Sequence, residues 1–379
     1  MTTELARRGN DERMEIVRSL DRLEAIGPAW RELWQRIDAP IFQSHAWVTA
    51  WWSTITDRDQ RQLLIVLAWR GETLEAVLPL ATSKRRGMRM LEWAAKDCTD
   101  YCDALVNRGT NVAVLRRMWK ALSVEGGFDV VHLNRLLPQA TAWSLLERIS
   151  GGVALSPNHR SEHSLRVVGP WANGDAWFDA HAKKVRQNYK RGVKFLGEGA
   201  ELVFRLLPAD APLEPILDRL GELKRLWLAR NGIEAPLFDE GSPTLRALVK
   251  ALADAGQLRI FVLERDGIIV AISVNFVQGG AMMAFLTTYD PAVERGSPGM
   301  VLMVDYIRWA FDNGLTMVDF LCGAEEFKSR FATSTVTLES LAGSRTVVGG
   351  AAMLADRLIH HIRKMRSWKP APPEAERFA

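Results

Sequence analysis

The hydrophobic and polar positions of the chain follow the same order twice. In each half, two apolar strands flank a short turn that contains glycine. The first pair spans residues 63–82 and turns at Arg70-Gly71, and the second spans residues 258–277 and turns at Asp266-Gly267. Glycine between two strand-like runs is typical of a β-hairpin. The pattern therefore predicts one hairpin in each half.

The elements around the two hairpins repeat as well. Helical periodicity precedes each hairpin, at residues 23–37 and 46–54 in the first half and at 177–196 and 213–231 in the second. Each hairpin is followed by a further strand, a helix and a closing strand. The predicted bounds are 90–93 with 101–106, 111–125 and 127–136 in the first half, and 281–288, 299–313 and 314–323 in the second. We predict an α/β (α+β) fold of two tandem units, each a mixed, mostly antiparallel sheet flanked by helices.

Turn-forming residues mark the limits of these units. Residues 1–22 are predicted to be a flexible N-terminus, 23–160 the first unit and 161–345 the second. The join, residues 156–175, is rich in turn formers and contains one strand candidate, SLRVV. Residues 346–379 are predicted to form a basic amphipathic helix, from about residue 352 to 368, and a disordered tail.

Composition excludes several classes of protein. The 379 residues carry a net charge of only +4, which gives no broad surface for DNA. Three cysteines and seven scattered histidines fit neither a disulfide framework nor a metal site, so we expect no metal. The start of the chain lacks an apolar signal region, and no apolar run approaches the roughly 18 residues that cross a bilayer. A cytoplasmic protein is expected. The 14 tryptophans indicate aromatic packing or a stacking groove.

Residues 287–328 carry the strongest chemical signal. Ser297 is placed to be an N-cap, Pro298 the first helical residue, and Gly299 leaves backbone amides accessible. The helix is predicted to end at Asn313-Gly314. Free N–H groups at the positive end of a helix bind anions, so this loop predicts a phosphate site.

This order of elements resembles the GCN5-related N-acetyltransferase superfamily, whose loop usually reads Arg/Gln-x-x-Gly-x-Gly/Ala; the nearest match here is RGSPGMV, residues 295–301. The resemblance implies an acyl-CoA co-substrate, most simply acetyl-CoA, with its pyrophosphate on the helix amides. The residues expected to bind this cofactor are Thr287, Thr288, Arg295, Gly296, Ser297, Gly299, Met300 and Val301.

The duplicated unit is similar to the FemAB-like branch, which includes acetyltransferases associated with bacterial cellulose and exopolysaccharide synthesis. The segments that carry this similarity are PIFQSHAWVTAWW (40–52), Asp100-Tyr101, KKVRQNYKRGVKFL (183–196) and the run from SPGMVL to GAEEFKSRF (297–331). In that branch a Phe-Lys pair contacts acceptor phosphates, which implies a substrate-binding role for Lys328.

Acyl transfer from a thioester needs a donor that polarises the carbonyl, a proton acceptor and proximity of the substrates, but no covalent nucleophile. Backbone N–H groups near Thr287–Tyr289 are expected to polarise the carbonyl. The catalytic candidates are Asp290, Asp319 and Glu325 as proton acceptors, and Tyr289 and Tyr306 as proton donors to the thiolate. Cys322 lacks a nearby histidine and is expected to be a small buried residue.

Acceptor binding is assigned to two further groups. Asp100 and Tyr101 are expected to belong to the wall that the first unit contributes. The helix at 181–196 has a dense basic face, which includes Lys184, Arg186 and Lys190, and this face is either a solvated surface or an anion-binding one.

The sequence thus predicts an acyltransferase that moves an acyl group from acyl-CoA to an amino or hydroxyl group of a saccharide, or of its lipid- or nucleotide-linked precursor. Two alternatives stay open: aminoacyl transfer from charged tRNA to a peptidoglycan-type precursor, and a non-catalytic scaffold that binds glycan through its tryptophans. The terminal helix is expected to pack on the second unit, or to contact an anionic membrane or a polysaccharide synthase. In the last two cases the protein would lie at the inner face of the membrane.

Overall fold

The duplicated order of elements is present in the three-dimensional structure, a computed structural model that describes residues 3–8, 12–146, 152–323 and 326–367. The elements of the first unit are β1 (Thr3–Arg8), β2 (Glu12–Val17), α1 (Leu20–Ala25), α2 (Gly27–Ile37), α3 (His45–Thr54), β3 (Arg61–Leu63), β4 (Ile65–Arg70), β5 (Thr73–Leu78), β6 (Leu80–Arg85), β7 (Met88–Trp93), β8 (Leu105–Val106), α4 (Ala113–Glu125) and β9 (Val130–Leu136). The elements that follow are β10 (Ser156–Pro157), β11 (Glu162–Val168), α5 (Gly174–Asp179), α6 (Lys183–Leu196), β12 (Leu202–Leu206), α7 (Leu213–Asn231), α8 (Pro243–Asp254), β13 (Leu258–Arg265), β14 (Ile268–Gln278), β15 (Ala281–Tyr289), α9 (Pro298–Asp312), β16 (Met317–Cys322), α10 (Glu326–Ser329), β17 (Ser334–Ser344) and α11 (Val347–Ser367).

One sheet runs through both units. Its strands lie in the order β12-β13-β14-β15-β16-β11-β17-β9-β7-β6-β3, with β10 beside β17, and a second sheet has the order β1-β2-β4-β5-β8. Strands β11 and β17 join the halves, because β11 pairs with β16 and β17, and β17 also pairs with β9. Among the described strands only β15–β16 and β7–β9 pair in parallel. The predicted fold class, two mixed and mostly antiparallel units, is confirmed.

Both predicted hairpins form where the glycines indicate. Arg265 pairs with Ile268 across Asp266 and Gly267, which have φ angles of 50° and 74°. Two positive φ angles in succession match the twist of the strands, and glycine adopts them without strain. In the first unit Arg70 pairs with Thr73 across a turn that begins at Gly71. The turn residues therefore set the register of both pairs.

The tryptophans near residue 50 belong to the core between the units. Trp47, Trp51 and Trp52 expose 0%, 1% and 6% of their surface, and they share an apolar cluster with Phe276 and Leu321 of the second unit. Side chains buried to this degree cannot stack on a ligand at the surface. The packing interpretation is confirmed for these three residues.

Several boundaries differ from the prediction. Helix 23–37 is two helices that meet at Ile26, since Pro28 starts a new helix, and helix 177–196 is interrupted between α5 and α6. Strand 101–106 shrinks to β8. The segment 1–22 is not simply flexible, because β2 pairs with β4 and buries Ile16 and Val17 completely. Helix α8 and strands β12 and β17 are absent from the prediction.

Within the described ranges, no helix combines the length and the apolar character needed to span a bilayer. The terminal helix is present as α11, and it begins five residues earlier than the predicted start near residue 352.

Candidate active site

The two parallel strands at the centre of the second unit pair only at one end. Their register runs from Ala281 opposite Met317 to Met283 opposite Asp319, and the described residues show no further pairing between them. Beyond that point β15 stays with β14, while β16 stays with β11. A cleft therefore opens between the C-terminal halves of β15 and β16.

A β-bulge lies in β15 where the cleft begins. Val274 of β14 faces Leu286 and Asn275 faces Ala284, so Phe285 has no partner in the register. A bulge redirects side chains and backbone groups, and bulges are frequent beside active sites. Here it reorients the strand from Leu286 onward, which includes the predicted Thr287, Thr288 and Tyr289.

The loop after β15 leads into the N-terminus of α9 at the mouth of this cleft. Pro298 is the first helical residue, as predicted, and Asn313 with Gly314 ends the helix. Ser297 occupies the N-cap position with φ 50° and ψ 54°, but its side chain does not cap the helix, contrary to the prediction. Ser297 is exposed. The N-terminal end of α9 is thus left without a side-chain acceptor.

The first backbone amides of α9 are not equivalent. The N–H groups of Met300 and Val301 both donate to the carbonyl of Ser297, at 3.0 Å each. Gly299 makes no such bond with any described residue, and a Cβ at this position would lie 3.0 Å from the ring of Tyr289. The N–H of Gly299 is therefore the donor in this turn that a ligand could use. Val301, one of the residues expected to bind the cofactor, is fully buried.

The first unit, in its described part, does not leave the corresponding helix end open in the same way. Its parallel strands β7 and β9 also pair briefly, but Trp93 Nε1 donates to the carbonyl of Asn134 at 3.1 Å. At the N-terminus of α4, the Asn111 side chain accepts from the Ala113 N–H at 2.9 Å. The repeat thus provides one exposed helix end with a cleft, in the second unit.

The basic helix α6 packs against this loop and against α9. A Cβ on Gly192 would lie 2.6 Å from the carbonyl oxygen of Gly296 and 3.0 Å from Val301, so only glycine permits the contact. Arg295 lies over the ring of Phe195. Lys184 and Lys190 are exposed on the opposite face, and Arg186 pairs with Asp179 at 3.2 Å. A positive surface therefore borders the loop.

A buried polar network lies beneath α9. Tyr306, which is 2% exposed, has its hydroxyl beside Thr287. Thr287 in turn contacts the hydroxyl of Ser273 at 2.8 Å, and Ser273 donates to the Asn275 amide oxygen at 3.0 Å. Burial raises the pKa of the Tyr306 phenol. Thr288 is buried, and its hydroxyl has no partner among the described residues.

Two other predicted residues, Asp319 and Tyr101, meet in the interior. Asp319 is 1% exposed and accepts from Tyr101 at 2.7 Å, from Ser164 at 2.8 Å and from the Leu321 N–H at 2.8 Å. Arg166 forms an ion pair with it at 2.9 Å. Burial and the Asp319 charge raise the pKa of the Tyr101 phenol. These groups connect the first unit to β11 and β16.

Asp100 lies beside the end of β16 with Cys322 and Lys328. The Cys322 thiol donates to the carbonyl of Asp100 at 3.2 Å, and Lys328 Nζ donates to the carbonyl of Phe320 at 3.3 Å. Burial raises the pKa of Asp100 from 3.8 to about 6, partly offset by Arg135. Burial also raises the pKa of the Cys322 thiol, which suits a structural cysteine and not a nucleophile.

The remaining catalytic candidates make their contacts in the loop between β15 and α9. Asp290 accepts from the Ala292 N–H at 2.9 Å and contacts Arg219 at 3.3 Å. Tyr289 donates to Glu294 at 3.2 Å, and both burial and that carboxylate raise its pKa. Glu325 lies outside the described residues.

Comparison with known proteins agrees with this geometry. Residues 183–329 match the family model described as an acetyltransferase (GNAT) domain. The match runs from α6 to α10 in the second unit. No curated protein matches the chain by sequence.

Solved structures show the same fold over most of the chain. FemX aligns with a TM-score of 0.54 at 9% identity, covering 85% of this chain and 95% of that one. The C-terminal DUF2156 domain of a protein named as a lysylphosphatidylglycerol synthetase, from Agrobacterium fabrum, gives 0.54 at 13%, covering 89% and 96%. L-PGS from Bacillus licheniformis gives 0.52 at 14%, covering 90% and 96%. At sequence identities of 9–14%, the similarity to these structures shows the fold alone.

Sequence reasoning missed the bulge at Phe285 and the partners of Asp319. Ser164 and Arg166 lie on the strand SLRVV, whose alternation of polar and apolar residues was visible, but its pairing with β16 was not. Among the described residues, no cluster of histidine, cysteine and carboxylate side chains is arranged to hold a metal.

Proposed function

We propose that the protein transfers an acyl group, most simply acetyl, from acyl-CoA to an amino or hydroxyl group of a saccharide or of its lipid- or nucleotide-linked precursor. The observation that carries the proposal is the cleft between β15 and β16, with a bulge at its origin and the N-terminus of α9 at its mouth. The domain match to residues 183–329 supports the reaction class.

The residues present fit an acyl-CoA. The Gly299 N–H and the positive end of α9 would hold a phosphate, and the exposed Ser297 leaves the approach open. Thr287 and Tyr289 on β15 line the way into the cleft, where backbone N–H groups would hydrogen-bond the thioester oxygen. Arg295, Gly296 and Met300 would surround the pyrophosphate.

In the reaction, the acceptor nitrogen or oxygen forms a bond with the acyl carbon while the carbon–sulfur bond breaks. The acceptor proton passes to a carboxylate or to water, and the thiolate takes up a proton. We assign the proton acceptor to Asp100, because Asp319 is enclosed by donors and Asp290 is engaged by the Ala292 N–H and by Arg219. The thiolate's donor is assigned to Tyr289. Lys328, at the end of β16, would face the acceptor.

A charge placed on the loop tests the cofactor site. Ser297→Asp adds a negative charge at the N-terminus of a helix, where an acidic residue favours folding, but it would repel a phosphate. We expect the Kd for acetyl-CoA, measured by calorimetry, to rise about tenfold or more. Ser297→Asn is the uncharged counterpart and should bind normally.

The first unit supplies the matched control. Asn111→Asp adds the same charge at the N-terminus of α4, where the Asn111 side chain already accepts from the Ala113 N–H. We expect no change in the affinity for acetyl-CoA. Equal affinities for Ser297→Asp and the unaltered protein would refute the site assignment.

The exposed basic face of α6 favours a second candidate, aminoacyl transfer from charged tRNA. Lys183, Lys190 and Lys194 are exposed, and α6 contacts the loop before α9 directly. FemX and L-PGS share this fold. Filter binding with charged tRNA tests it. Micromolar or tighter binding that weakens when these three lysines become glutamine would support tRNA as the donor, and acetyl transfer without tRNA would exclude that requirement.

Helix α11 supports contact with an anionic membrane. Leu354, Leu358 and Ile362 recur every four residues and expose 62%, 63% and 41% of their surface. An exposed apolar stripe on a basic helix is typical of helices that lie in a membrane interface. We expect the protein to float with vesicles that contain anionic lipid. Leu354→Gln with Leu358→Gln should abolish flotation, and flotation that persists would refute this contact.

A further inference from the structure

A pocket of about 490 Å³ lies on the central sheet outside the cleft. Its floor is formed by β9 and β17, one wall by residues 159–162 and another by α11. Two floor residues carry buried polar atoms without a partner among the described residues: Nε2 of His132 and Oδ1 of Asn134. Buried polar groups in proteins are normally hydrogen-bonded, and leaving one unpaired costs about 1–3 kcal/mol.

The repeat provides an internal comparison for this pocket. Aligning Gly127 with Gly314, which begin the closing strands, places His132 opposite Asp319. Both strands carry a non-glycine residue with positive φ near their ends, Arg135 at 58° and Leu321 at 59°. In the second unit this position is filled by the Asp319 cluster described above. In the first unit the same position is left open.

The charges around the pocket are balanced. Arg135 contacts Glu162 at 3.2 Å, and Arg160 pairs with Asp356 of α11. The exposed Glu339 adds a negative charge at the rim. Two arginines engaged in this way leave little positive potential for a phosphate. Burial, reinforced by the charge of Lys96, lowers the pKa of His132 and favours its neutral form.

A neutral imidazole and an amide oxygen match hydroxyl groups, which both donate and accept hydrogen bonds. The volume lies within the range of small-molecule sites and exceeds that needed for a few water molecules. We propose that this pocket binds a sugar ring of the acceptor through hydrogen bonds with His132 and Asn134. Its link to acyl transfer rests on the proposed function.

The pocket is close enough to the cleft to serve it. Glu162 of β11 pairs with Leu338 of β17 on the pocket floor, and Ser164, two residues further along β11, pairs with Cys322 at the end of β16. The Gly323 N–H also donates to the carbonyl of His163 at 3.1 Å. Strands β17 and β11 lie between β9, which carries His132 and Asn134, and the end of β16, a distance of three strand spacings or about 14 Å. The pocket wall at Glu162 reaches β11, next to β16, so an acceptor longer than one sugar ring would extend from the pocket to the cleft.

Binding of a glucosamine disaccharide, measured by calorimetry on the full chain, tests the assignment. Asn134→Leu removes an unpartnered polar atom, so stability should stay equal or rise while the Kd for the disaccharide increases at least tenfold. Ser161→Trp narrows the mouth from an exposed position and should weaken binding similarly. His361→Ala, on α11 and outside the pocket lining, is the control and should bind normally.

The results of these binding experiments distinguish a wrong pocket assignment from a wrong proposed function. Equal affinity of Asn134→Leu, Ser161→Trp and the unaltered protein for the disaccharide would overturn the pocket assignment, and so would binding of inorganic phosphate in place of the sugar. Sugar binding that weakens in these two variants, without any transfer from acetyl-CoA to the sugar, would support the pocket and overturn the proposed function instead. The affinity for acetyl-CoA should be the same in all variants.

Discussion

Replacing Asp319 distinguishes a structural connection from a catalytic base. The carboxylate is 1% exposed, takes three hydrogen bonds of 2.7–2.8 Å and forms an ion pair with Arg166 at 2.9 Å. Asp319→Asn keeps the shape but leaves Arg166 without its counter-charge in a largely buried place. Breaking a buried ion pair costs about 3–5 kcal/mol. Because 17% of the Arg166 side chain is exposed, we expect Asp319→Asn to lower the free energy of unfolding by about 3 kcal/mol.

Tyr101→Phe removes one hydroxyl from the same cluster and should cost about 1–2 kcal/mol. The double variant should lose less than the sum, because the two residues share a hydrogen bond. Urea unfolding followed by tryptophan fluorescence measures these free energies. Asp254→Asn is the control, since its pair with Lys250 is exposed and should contribute less than about 1 kcal/mol.

The kinetic readout completes this test. If Asp319 connects the units, activity measured on folded Asp319→Asn should fall by no more than about tenfold. A free energy of unfolding within 0.5 kcal/mol of the unaltered protein, together with a loss of transfer above about a hundredfold, would refute the structural reasoning and make Asp319 the catalytic base.

Three further outcomes are expected. The folded pKa of Asp100, about 6, lies above its ordinary 3.8, so the folded state holds the proton more tightly and stability falls as the pH rises from about 4 to 6. Between pH 4.5 and 7.5 this loss should be about 2 kcal/mol in urea titrations, and Asp100→Asn should remove it. Lys328→Met should raise the KM for a phosphate-bearing acceptor about tenfold and leave the KM for acetyl-CoA unchanged in steady-state assays; an unchanged acceptor KM would contradict its role. Tyr306→Phe should lower stability by about 1 kcal/mol and leave kcat within about threefold, because the buried Tyr306 hydroxyl lies beside Thr287. A hundredfold loss of kcat at full stability would instead make Tyr306 the proton donor.

Local patterns determined much of this fold. Helix α7 has the predicted bounds, α9 begins at Pro298, the predicted first helical residue, and both hairpins turn at the predicted glycines. Proline at the first turn, glycine with positive φ and apolar periodicity act over a few neighbouring residues, so the sequence displays them directly. The duplication was visible for the same reason, because each unit repeats these local signals.

Only the tertiary structure decided where the units meet and which side chains share a site. Tyr101 and Ser164 reach Asp319 across 218 and 155 residues, and β17 pairs with β9 and β11 from distant parts of the chain. The bulge at Phe285 arises from its register with β14, and the His132 pocket from the approach of α11 to the sheet. The sequence by itself thus determined most of the elements and the residue types available for chemistry. Long-range pairing determined which candidates were buried as connections and which remained open to a ligand, because burial and register depend on partners that no local window contains.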